Sequence, residues 1–182
     1  LFHFMELNER LRVAPNVKDI MVPIARSFVE MGGSLSQGDE RGGTFLMHYL
    51  FRMEPTAESV ECFLSLLALP TVDVTQKNND GCPLLHHLAD NEKVRTASNA
   101  KDIIVPIARR VVDKGGGLSQ GNDVGATFLM YYLWRMEPTS ASVECFLSLL
   151  ELPSADVTTK NSNGFSLLHF IAFNTKLLTA PN

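Results

Sequence analysis

Adjacent imidazoles at His86 and His87, with the carboxylate of Asp90 one helical turn on, are the side chains best suited to hold a metal ion or move a proton. Successive residues of a helix project about 100° apart, however, so the two rings cannot readily turn to one ion, and no further Cys or His stands at ligand spacing. His86 also belongs to a series, because His3, His86 and His169 recur every 83 residues. An imidazole wanted at the same place in every repeat is expected to answer a structural demand of the repeat and not to act as a ligand or an acid-base group. The run Gly115 to Gly121 is glycine-rich enough to cradle a phosphate, but it lacks the GxxxxGK(S/T) pattern and follows a helical segment, so it reads as a helix stop. Serines and cysteines abound without a base partner placed by any motif. No catalytic residue, metal or cofactor is therefore expected, and the chain is expected not to be an enzyme.

The three cysteines, Cys62, Cys82 and Cys145, form no CxxC pair and are odd in number. That argues against a disulfide framework or a zinc site and fits a reducing compartment, either the cytoplasm or, for a secreted effector, the cytosol of a host. The sequence is 45% hydrophobic and 20% charged with a net charge of −4, which gives enough apolar material for a buried core. Its Lys and Arg are scattered, so nucleic acid is not expected as a partner. No apolar run approaches the roughly 18 residues that span a bilayer, and membrane insertion is not expected.

Apart from His3, these candidates sit inside a duplication. Residues 18–99 return as 101–182 without a gap, identical at 53 of 82 positions. Leu35-Ser36-Gln37-Gly38 recurs as Leu118-Ser119-Gln120-Gly121, and Arg52-Met53-Glu54-Pro55-Thr56 as Arg135-Met136-Glu137-Pro138-Thr139. Repeated units stack on one another instead of closing round private cores, so residues shared by both copies should answer the demands of stacking.

Each copy holds four apolar segments with helical spacing. Ile103, Ile104, Ile107, Ala108, Val111 and Val112 form one broad face, preceded by Asn99 and Asp102 as cap candidates and followed by Gly115-Gly116-Gly117. Pro106 and its twin Pro23 are expected in the first turn, where a missing N–H is harmless. A second helix is expected over Ser142 to about Leu152 and over Ser59 to Leu69, with Thr139 and Thr56 as N-caps and Pro153 and Pro70 closing them. Shorter helices are expected from Leu84 to about Asn91 and from Thr127 to Arg135, and the Gly/Asn clusters between pairs read as hairpin-like turns.

On these segments the chain resembles the ankyrin-repeat family. Asn79-Asp80-Gly81-Cys82-Pro83-Leu84-Leu85-His86 is similar to that family's Asp/Asn turn, Gly and Thr-Pro-Leu-His helix start, and Asn163-Gly164-Phe165-Ser166-Leu167-Leu168-His169 resembles it again. Gly42-Gly43-Thr44-Phe45-Leu46-Met47 and Gly125-Ala126-Thr127-Phe128-Leu129-Met130 keep the Gly, Thr and Leu and place Met where the His would stand. The corresponding glycines Gly42, Gly81 and Gly125 lie 39 and then 44 residues apart, where ankyrin units take about 33. The surplus is expected between paired helices, as at Glu92 to Ala100. The resemblance implies an all-α, ankyrin-like helical-pair solenoid over residues 1–182, with about four helix pairs plus a half repeat. Another stacked helical-pair solenoid is the alternative. The chain is expected to belong to a longer array, with residues 167–182 either frayed or packed on another molecule, and with self-association through exposed terminal half-repeats.

The resemblance also implies a non-catalytic scaffold that binds a protein partner through its concave face and turn tips. A targeting or regulatory arm of a larger enzyme, or of a pathogen effector, is the alternative. Leu7, Phe51, Asp90, Trp134 and Phe173 align at one site near the ends of the short helices, with Arg52 and Arg135 beside two of them. An aromatic ring next to Arg is the composition of binding hot spots. Phe51, Arg52, Asp90, Trp134, Arg135 and Phe173 are thus the partner-binding candidates, joined by His48 and its counterpart Tyr131. The competing reading has Phe51 and Trp134 filling space made by the longer repeat, and it extends to His87 and Phe170.

Overall fold

In the computed structural model, which describes residues 9–179, the chain is all-α. Its helices alternate short and long. The short ones are α3 (Phe45–Arg52), α5 (Leu84–Asp90), α8 (Phe128–Arg135) and α10 (Leu167–Phe173), and the long ones are α2 (Val17–Glu30), α4 (Ala57–Leu67), α7 (Ala100–Asp113) and α9 (Ser140–Leu150). Among the described residues three single-turn pieces accompany them: α1 (Glu9–Arg12), α6 (Glu92–Thr96) and α11 (Thr175–Leu178). The short helices pack in the order α3, α5, α8, α10, and the long ones in the order α2, α4, α7, α9, so two rows lie against each other.

Sandwiching explains why the short helices are so apolar. Of the eight residues of α3, Phe45, Leu46, Met47, Tyr49 and Leu50 are buried, and α8 buries the equivalent five. What remains outside is a stripe at helical spacing: His48, Phe51 and Arg52 on α3, and Tyr131, Trp134 and Arg135 on α8. Behind it, Tyr49 stacks on Phe63 with ring centres 6.0 Å apart, and Tyr132 on Phe146 at 6.2 Å.

The caps follow the sequence in most places. Thr56 and Thr139 each accept from the N–H three residues on at 3.2 Å, which starts α4 and α9 two residues earlier than expected. The long helices α2 and α7 stop on Gly32 (φ +89°) and Gly115 (φ +93°), while Gly33 and Gly116 donate back to the carbonyls of Phe28 and Val111. This is a Schellman closure, and it needs the left-handed conformation that glycine adopts freely.

The structure corrects two expectations. The long helix α7 begins at Ala100, so Pro106 falls in its second turn and Pro23 likewise in α2. The carbonyl of Asp102 loses its partner, but Asp102 and Pro106 are exposed and water can replace the bond. Nor do the side chains of Asn99 or Asp102 cap that helix. Asn99 occupies the cap position without a side-chain bond and reaches the Pro55 carbonyl at 3.4 Å instead. The surplus between paired helices at Glu92 to Ala100 is taken up by α6 and the residues after it.

Four hairpin-like tips join the pairs, each closed by one isolated bridge: Gly38 with Thr44, Lys77 with Pro83, Gly121 with Thr127, and Lys160 with Ser166. One residue organises each tip. Asn122 accepts at Oδ1 from the N–H groups of Val124 (3.2 Å) and Ala126 (2.9 Å), while its carbonyl takes the N–H of Gly125. Asp39, Asn78 and Asn161 repeat this Asx turn, each followed three residues on by a glycine with φ between +69° and +79°. The tips are also sewn together in pairs. Asn79 donates to the Arg41 carbonyl at 2.8 Å, and Ser162 to the Val124 carbonyl at 3.0 Å.

Candidate protein-binding surface

The stripe left exposed by the short helices, together with the tips, carries the candidates. His86 is not part of it. It is buried, and its Nε2 donates to the Ala126 carbonyl at 2.8 Å, joining α5 to the tip of the next unit. Burial pushes its pKa down to about 4, against the pull of that carbonyl, so the ring is neutral near pH 7. His87, also down at about 4 through burial, lies beside His86 and His48. His169 bonds locally, its Nδ1 accepting from the Ser166 hydroxyl at 2.9 Å and from the Ser166 N–H at 3.2 Å, and His3 and Leu7 lie outside the described residues. Among the described residues no group of His, Cys, Asp or Glu is arranged to hold a metal ion. The three thiols are unpaired, and burial raises the pKa of Cys62 to about 11 and that of Cys82 and Cys145 upward.

Trp134, Tyr131 and Phe173 come together. With Val124, Ala126, Asn161, Phe165 and Phe170 they line a hollow of about 320 Å³ between α8, α10 and the two tips that precede them. Tyr131 meets Trp134 edge-on at 6.1 Å, and Phe173 meets Phe165 at 5.0 Å and Phe170 at 5.8 Å, both edge-on. Such edge contacts suit the ring quadrupoles and hold the walls in place. Arg135 lies alongside, its guanidinium 5.0 Å from the Trp134 ring centre and 5.7 Å from that of Tyr131.

Phe51, Arg52 and Asp90 line a separate hollow of about 270 Å³ with Arg12, Asn91, Glu92 and Lys93. One ion pair links the two regions, Asp90 to Arg135 at 3.0 Å. Burial raises the Asp90 carboxyl, with Arg135 and then Arg95 pulling it back. His48 turns away to the first tip, where its Nε2 lies 2.9 Å from Asp39 Oδ2. Burial pushes Asp39 up, but this bond and the N–H groups of Gly43 and Arg41 outweigh it and leave the carboxyl below its ordinary value.

The floor beneath this surface is braced by residues that the repeat pattern alone does not single out. Asn91, buried, donates both side-chain hydrogens, to the carbonyls of Leu50 (2.8 Å) and Met53 (2.9 Å) at the end of α3. Asn174 does the same for Leu133 (2.7 Å) and Met136 (2.8 Å) at the end of α8. Arg95, also buried, bonds the Arg135 carbonyl and reaches Glu137 Oε1 at 3.1 Å. The sequence does carry a signal for the pair, since Asn91 and Asn174 are one period apart and identical in a stretch where most neighbours have changed. Phe165 is not singled out by the sequence for a different reason: it stands inside a helix-start motif, opposite Cys82 in the other copy.

No known protein family and no curated protein matches this chain. No helix among the described residues is long and apolar enough to cross a membrane.

Proposed function

We propose that the chain is an ankyrin-like solenoid and that it serves as a non-catalytic scaffold, binding a protein partner across the exposed stripe of its short helices and its turn tips. The two rows of helices, the Asx tips and the His86 bond to the following tip all support the ankyrin-like reading. One observation carries the functional reading. Phe51, Trp134 and Phe173 are 45%, 46% and 43% exposed, whereas Phe45, Phe63, Phe128, Tyr49 and Tyr132 are enclosed.

Large rings set half in solvent on braced helices bury area on binding at small cost in side-chain entropy, and Arg135 beside them offers a guanidinium for carbonyls or carboxylates. The reading that Phe51 and Trp134 serve as filling for the longer repeat has less support, because filling would enclose them. The test is affinity capture with the intact chain, followed by affinity measurement for Trp134→Ala and Arg135→Ala variants. Loss of about tenfold or more in each, with unchanged helicity, is expected from the hot-spot composition. Unchanged affinity in both would end the proposal.

A further inference from the structure

The duplication supplies a comparison within one molecule. Across it 29 of the 82 aligned positions differ, about one in three, yet seven of the eight residues lining the hollow between α8 and α10 differ from their counterparts between α3 and α5. Five of the seven changes run toward an uncharged, more apolar side chain, and the other two exchange Phe51 for Trp134 and Gly43 for Ala126. His48, Cys82, His87 and Asp90 become Tyr131, Phe165, Phe170 and Phe173, Arg41 becomes Val124, and only Asn78 is kept, as the tip residue Asn161. The backbone frame is shared by both copies, so stacking does not require these changes.

We infer that the hollow between α8 and α10 is a socket for one uncharged apolar side chain, aromatic or branched aliphatic, presented by the partner protein; this rests on the protein-binding reading above. Its volume of about 320 Å³ is at the low end for ligand sites, which run from roughly 300 to 1,000 Å³, and suits a single large side chain. A cluster of rings can also attract a cation, but here the Arg135 guanidinium already lies against Trp134 and Tyr131, and no carboxylate lines the hollow. A second cation would meet like charge. The rings are not packing for its own sake either, since Trp134 and Phe173 remain nearly half exposed.

Trp134 is the only tryptophan in the chain, so its fluorescence reports this site directly. The probes are N-acetyl-leucinamide and N-acetyl-phenylalaninamide, with tetramethylammonium as the cationic control, followed by fluorescence and by amide chemical shifts of the whole chain. Both amides should bind with dissociation constants of about a millimolar, the scale for fragments of that size, with shifts centred on Val124, Trp134 and Phe173. Phe173→Asp, which installs the residue found at position 90, should weaken binding about tenfold or more with unchanged circular dichroism. The inference is overturned if no shift appears at these residues with about 50 mM probe, if tetramethylammonium binds as well as the amides, or if Phe173→Asp binds as the parent does. None of these readouts needs the partner. They therefore stand or fall separately from the affinity of Trp134→Ala for it.

Discussion

Asn91 donates to the Leu50 carbonyl at 2.8 Å across 41 residues of chain, and its second side-chain hydrogen goes to Met53. The last carbonyls of a helix have no partners within it. At the end of α3 they are satisfied by a buried amide from the next unit, which also caps α6 by accepting from Val94 at 3.2 Å. One side chain thus closes one helix, opens another and fixes the spacing between them.

Removing this amide leaves two buried carbonyls without donors. Asn91→Ala should cost about 3 kcal/mol in urea unfolding. Asn91→Asp should cost more, because it sets a carboxylate against two carbonyl oxygens, and a smaller loss than for the alanine variant would refute the assignment.

Stability should fall on mild acidification because of His86. Its pKa is about 4 in the folded chain and 6.5 in the unfolded one, so between these values the unfolded state holds the extra proton. The contribution is complete above about pH 6.5 and declines as pH falls toward 4, by roughly 3 kcal/mol if His86 acts alone. His87, shifted the same way, adds to the slope, while Asp90, shifted upward, opposes it. Unfolding midpoints measured from pH 7 to 4 should show the decline, and His86→Gln, which can keep a donor without titrating in this window, should flatten it.

Two tip glycines with nearly the same conformation should tolerate alanine very differently. Gly164 (φ +79°) has open space where a Cβ would go, so Gly164→Ala should cost about 1 kcal/mol for the left-handed backbone alone. At Gly81 (φ +69°) the added carbon would lie 1.8 Å from Asp123 Oδ1 and 2.6 Å from the Asp123 nitrogen. Gly81→Ala should therefore cost about 3 kcal/mol, as overpacking adds to strain. Equal thermal shifts for the two variants would contradict the contact between the second and third tips.

The Asp90 to Arg135 pair joins two units but is partly open, with side chains 28% and 38% exposed. A double-mutant cycle with Asp90→Asn and Arg135→Gln should give a coupling under about 1 kcal/mol that shrinks with added salt. A larger, salt-insensitive coupling would mean that the pair is more deeply shielded than its exposure indicates.

Helices, tips and stops are legible in the sequence because they are specified locally. Thr56 and Thr139 cap the helices they precede, Gly32 and Gly115 end the helices before them, and the apolar spacing of Ile103 to Val112 fixes a buried face whatever it packs on. The place of Pro106 is not legible in this way, because the start of α7 is not set by a side-chain cap: Asn99 stands at the cap position while its amide is directed to Pro55. The clamps of Asn91 and Asn174 are hidden for a related reason. Their partners lie 38 to 41 residues away, and residue type alone does not show which carbonyls a packed fold leaves wanting. At the surface, identity is legible but grouping is not. Tyr131, Trp134 and Phe173 share one hollow, Phe51, Arg52 and Asp90 line another, and His48 faces a third neighbour, Asp39.

The sewing of the tips in pairs also sets how such a chain can change in length. Tip one is tied to tip two through Asn79 and Arg41, and tip three to tip four through Ser162 and Val124, whereas tips two and three meet through Lys77 and the Gly121 carbonyl. The junctions alternate, and with them the spacings of 39 and 44 residues. Excising a single helix pair would bring together edges that never meet in the parent and strand one half of a matched seam. Excising 83 residues would restore a junction already present. Unequal crossing-over between the copies, which moves 83 residues at a time, therefore keeps these seams matched, whereas loss of one helix pair does not.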